Sequence, residues 1–69
     1  MEIKNEEHAK EMLEKWQQQH LPAQKREIRI ALEKLELSSM YYEQKGNYKA
    51  TERSQRCIGI LEKYLNTLG

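Results

Sequence analysis

The chain of 69 residues contains no Phe, Val or Asp, one Pro (Pro22), one Cys (Cys57) and no run of apolar residues long enough to cross a bilayer. Each absence removes a class of protein. A single cysteine cannot form an intramolecular disulfide, and no His, Cys or carboxylate cluster has metal-ligand spacing, so neither a metal nor another cofactor is expected. His8 and His20 would lie about 120° apart on one helix and so would not share a face. Without Asp, and with both histidines in a polar first segment, neither a carboxylate pair nor a hydrolytic triad assembles, and the chain is not expected to be an enzyme. Met1-Glu2-Ile3-Lys4 has no apolar run behind it, which argues against a signal peptide; with the unpaired thiol this points to the reducing cytoplasm.

Apolar side chains are also scarce. Only 38% of residues are hydrophobic and 33% are charged. A chain this short buries only about 60% of the surface its unfolded form exposes, so the core must be thin. With disulfide and metal set aside as staples, a partner or self-association remains. The net charge of +1 supplies no field for nucleic acid or an anionic membrane. It is unevenly spread: residues 1–20 carry three Lys against five Glu, and residues 47–69 carry four basic against two acidic residues, so the two ends can attract.

What is present is helical periodicity. The first segment, about 5–20, has Asn5 as an N-cap, Glu6 and Glu7 in a first turn that favours acids, and one face of Ala9, Met12, Leu13 and Trp16. A polar run, Gln17 to His20, then reaches Leu21-Pro22, a helix boundary. The second segment, about 22–45, places Ile28, Ala31, Leu32, Leu35, Ser39 and Tyr42 together. Gly46-Asn47 stops it and starts the third, about 47–68, whose seam is Ala50, Ser54, Cys57, Leu61, Tyr64 and Leu68, flanked by Ile58 and Leu65.

So short a turn forces the last two helices antiparallel, with Ser39 facing Ser54, Leu35 facing Cys57 and Ile58, Leu32 facing Leu61, Ile28 facing Tyr64 and Leu65, and Tyr42 facing Ala50. The expected fold is all-α: one domain over residues 1–69, made of an antiparallel hairpin (22–69) and an additional N-terminal helix within 1–21.

Ile30, Leu37 and Tyr41 point away from the seam, as does Ile60. Two readings stand open. Either the first helix folds back and covers them with Met12, Leu13 and Trp16, or it is mobile and the face docks a partner. The candidate partner-binding set is Met12, Trp16, Ile30, Leu37, Tyr41 and Ile60. Lys49, Arg53 and Arg56 form a basic stripe that could contact nucleic acid, although a solvated helix face is the simpler account; Lys25, Arg26 and Arg29 form a second cluster. Cys57 reads as a small buried hydrophobe, and Gly59 as a point of close contact on the outer side of the third helix.

The stretch from Tyr41 to Ala50 resembles the middle of a tetratricopeptide repeat, with Tyr42, Gly46 and Tyr48 carrying the match. The repeat's early aromatic position falls on Leu35, its glycine on Ser39 and its second-helix small position on Thr51, and Lys63 stands where the closing proline would be. One repeat is covered, where a solenoid needs about three, so the resemblance implies a single TPR-like hairpin. In size and layout, with Ala31-Leu32-Glu33-Lys34-Leu35 opening the hairpin, the chain is also similar to small co-chaperones of type III secretion needle subunits. That resemblance implies a cytosolic protein that pairs with a larger repeat-containing chaperone and keeps a needle subunit from polymerising. The expected function is a non-enzymatic co-chaperone or adaptor for a helical protein partner, with a nucleic-acid-binding regulator or a self-assembling bundle as alternatives.

Overall fold

The computed structural model describes residues 3–68 and contains three helices: α1 (Glu6–Trp16), α2 (Leu21–Gln44) and α3 (Tyr48–Thr67). No strand occurs among the described residues, and no helix there is long and apolar enough to cross a membrane. The molecule measures 39 × 20 × 18 Å. Its long axis is set by α2, whose 24 residues rise about 36 Å.

Asn5 caps α1 as its side chain suggests, accepting the His8 N–H at 2.7 Å. His8 completes the cap by accepting the Lys4 N–H on Nδ1 at 3.1 Å. The helix stops at Trp16, four residues before the expected end at residue 20. Trp16 is the last residue of the segment that reaches the core. Beyond it the Gln18 and Gln19 N–H groups bond three residues back, to the Lys15 and Trp16 carbonyls, which tightens and ends the turn. Gln24 then holds the Gln19 carbonyl through Nε2 at 2.8 Å. His20 is extended, and α2 begins at Leu21 with Pro22 in the first turn, where a missing N–H leaves no helical bond unmade.

The second connection is tighter. Gly46 has φ +75°, the left-handed conformation that glycine reaches at least steric cost. Its N–H bonds to the Glu43 carbonyl and that of Asn47 to the Tyr42 carbonyl, the paired bonds of a Schellman motif. Asn47 also caps α3, accepting the Ala50 N–H at 3.2 Å.

The turn lays α3 against α2, and Ile28, Cys57 and Leu61 become the largest fully buried side chains. Ser39, Ala50 and Ser54 are buried nearer the turn, where small residues allow the helix axes to approach. Gln55 Nε2 donates across the seam to Ser39 Oγ at 2.8 Å. Tyr64 Oη contacts Gln24 Oε1 at 3.4 Å near the open end, a long hydrogen bond. α1 folds back over one side of the hairpin and buries Ala9, Met12, Leu13 and Trp16, so the hairpin-plus-helix fold closes as a three-helix bundle. Glu6 of α1 meets Arg56 at 2.7 Å, so the acidic first segment and the basic last helix do attract. Both partners are half exposed, and such a pair contributes about 1 kcal/mol at most.

Gly59 differs from expectation. A Cβ built there meets nothing within 4 Å, so this glycine serves no close approach within the chain. Gly59→Ala should therefore raise stability by up to about 1 kcal/mol, through helix propensity alone. Leu61→Ala, which empties the centre of the seam, should cost about 2 to 5 kcal/mol. Urea unfolding followed by circular dichroism measures both, and a destabilised Gly59→Ala would contradict the open surroundings of this position.

Candidate functional site

The residues singled out as partner-binding fall in four places. Met12 and Trp16 are buried in the core beneath α1. Ile30, 43% exposed, sits at the mouth of a small cleft lined by Met12, Trp16, Glu27, Ala31 and Lys34. Leu37 and Tyr41 lie further along α2, 61% and 57% exposed, so α1 folds back without covering them. Ile60 is half-buried on the other side of α1, in an apolar groove with Leu13 and Tyr64 whose rim carries Lys10 and Lys63. The structure thus brings Ile30, Leu37 and Tyr41 onto one outer face of α2 and separates Ile60 from them.

Met40, 57% exposed, is a member of the α2 surface that the sequence reading did not include. Met40 and Tyr41 follow Leu37 by three and four residues, so each neighbours Leu37 on the helix surface. That spacing was the available signal. The Tyr41 ring is itself held in place: the Tyr42 ring meets it edge-on at 5.6 Å, and Lys45 Nζ lies 5.7 Å from its centroid. An aromatic side chain fixed in this way offers contact area with little rotamer freedom left to lose on binding.

The basic stripe does not present three equivalent cations. Arg56 is engaged by Glu6 and has Glu52 at 3.9 Å on its own helix. Arg53 lines a cavity with residues of α2 and the segment before α1, whereas Lys49 stands on the open surface; neither has an ion pair among the described residues. No group of three or more His, Cys, Asp or Glu that could hold a metal occurs among the described residues.

Cys57 is buried at the centre of the α2–α3 seam. Burial, and secondarily the Glu6 carboxylate, push its thiol above the ordinary cysteine value, while Arg53 and Arg56 partly oppose the shift. The thiol is a packed core group rather than a nucleophile.

No protein-family model, no curated protein and no solved structure matches the chain.

Because the native thiol keeps its proton to higher pH than the unfolded one, the unfolded state binds fewer protons once pH passes the ordinary thiol value of about 8.5. The contribution of Cys57 to stability is present below that pH and is lost as pH rises through the raised native value. The stability difference between wild type and Cys57→Ala should therefore narrow from about pH 8.5 upward. Denaturation midpoints of both proteins across that range test it, and a constant difference would contradict it.

Proposed function

We propose that the protein is a non-enzymatic interaction module, a small cytosolic co-chaperone or adaptor, which binds an amphipathic helix of a protein partner along the outer face of α2. The observation that carries this reading is the exposure of Leu37, Met40 and Tyr41 on adjacent turns of a helix whose opposite face buries Ile28, Ala31, Leu35 and Ser39. Apolar side chains are scarce in this chain, and three large ones stand together in solvent.

Ile30 extends the surface, and the rise from Ile30 to Tyr41 is about 16 Å, the length of three helical turns. That strip suits a partner helix with apolar residues at i, i+4 and i+7, the spacing with which helices dock on apolar surfaces. Such a helix would add a fourth member to the bundle. Glu27 and Lys34 border the cleft at Ile30, and charges of opposite sign there can orient the incoming helix. The similarity in size and layout to needle-subunit co-chaperones agrees with this role. In that setting the partner would be a repeat-containing chaperone or the needle subunit itself.

Leu37→Ala and Tyr41→Ala should each weaken partner binding by more than about 1 kcal/mol while leaving the fold intact, since neither side chain belongs to the core. Binding should also persist in high salt, whereas a nucleic-acid complex would dissociate steeply. The test compares proteins that co-purify with wild type and with each variant from the native host, at two salt concentrations, with circular dichroism to confirm folding. Equal recovery by wild type and both variants would remove the α2 surface from the function.

A further inference from the structure

Where the chain enters α1, a cavity of ≈ 140 Å³ is lined by Ile3, Lys4, Ser38, Tyr42, Arg53 and Ser54. Three parts of the chain meet there: the segment before α1, one turn of α2 and one turn of α3. Ile3 is buried and anchors the first of these against the hairpin. Five of the six lining side chains can donate hydrogen bonds, two of them are cationic, and none is a carboxylate.

These donors are also without partners. Both described ion pairs involve Arg56, so Lys4 and Arg53 pair with no carboxylate among the described residues. The hydroxyls of Thr51, Tyr64 and Thr67 and that of Ser39 all take part in hydrogen bonds within the protein. Those of Ser38, Tyr42 and Ser54 have no such partner among the described residues, and Ser54 is only 7% exposed. No buried side-chain oxygen or nitrogen lacks a partner among the described residues, so the Ser54 hydroxyl, though on a buried residue, keeps access to solvent. The surface that Ser54 retains opens on the cavity, where water or a ligand can satisfy it.

We propose that this cavity is a binding site for a phosphate group, carried by inorganic phosphate or by a small phosphate monoester. Two cations match a dianion. The planar guanidinium of Arg53 suits two phosphate oxygens at once, and the three hydroxyls supply donors for the others. Five donor-bearing residues line one small space, a number that suits the four oxygens of a tetrahedral dianion better than the two of a carboxylate. The space holds several waters, so a phosphate displaces them and exchanges neutral hydrogen bonds for charge-assisted ones. A polymer backbone is a poorer fit, because the neighbouring cation Arg56 is engaged by Glu6 and does not continue the site. The assignment is independent of the α2 surface and stands or falls separately.

Isothermal titration of the full chain with sodium phosphate, and separately with phenyl phosphate, tests the proposal at constant ionic strength; sodium acetate is the carboxylate control. Saturable phosphate binding is expected for wild type and for Lys49→Gln, which removes an equal charge from the neighbouring surface. Arg53→Gln and Ser54→Ala should each weaken it about tenfold or more, the loss of one charge-assisted hydrogen bond. Arg53 is exposed, so its variant keeps the fold, and circular dichroism at the titration temperature confirms this for both. Binding of inorganic phosphate alone identifies a free-ion site, and binding of both compounds a monoester site; either supports the assignment. It is overturned if wild type shows no saturable binding, if acetate binds as well as phosphate, if Arg53→Gln binds undiminished, or if Lys49→Gln loses as much as Arg53→Gln.

Discussion

Burial of Ile28, Cys57 and Leu61 between α2 and α3 is the interaction on which the remaining structure depends. With 38% hydrophobic residues the chain has few large side chains to bury, and two helices alone cannot enclose them. The left-handed Gly46 brings the two helices into contact in one register, and α1 closes the open side with Ala9, Met12, Leu13 and Trp16. Polar contacts such as Glu6–Arg56 and Gln55–Ser39 orient the packed elements. Most of the stabilisation comes from the apolar contacts they frame.

The features of the fold that could be read from sequence are those set by local geometry. Gly46-Asn47 marks a turn because few other residue pairs end one helix and cap the next, and the spacing from Ala50 to Leu61 can hold only one face of a helix. The end of α1 is different. Glutamine is an adequate helix former, so nothing local stops the helix at Trp16; the stop comes from the end of burial and from Gln24 reaching back across the connection. Gly59 misled for a related reason. Glycine within a helix suggests a close neighbour, yet on this face of α3 there is open space.

The surfaces were legible to a lesser degree. Leu37 and Tyr41 lie so far from the seam on α2 that no arrangement of α3 could cover them. Ile30 and Ile60 were grouped because both leave the seam, but the side of α1 on which each would emerge depends on where α1 docks. The cavity at Lys4, Ser38, Tyr42, Arg53 and Ser54 could not be foreseen, because its cations are distant in sequence and meet only after all three segments have packed. Tyr42, expected opposite Ala50, is half-buried and lines that cavity, a second role that the pairwise register does not show.

The two connections of this chain differ in what length they tolerate. An added residue between Lys45 and Asn47 would break the paired bonds from the Gly46 and Asn47 N–H groups that end α2 and set the start of α3, so that hinge tolerates a change in length poorly. The run from Gln17 to His20 is exposed, and beyond its backbone bonds to the two flanking helices it is held by one side-chain bond from Gln24. Extra residues there need only span the same gap, which adds little closure entropy. Insertions, fused domains and proteolytic nicks in proteins built on this plan therefore belong between the first two helices and not between the last two.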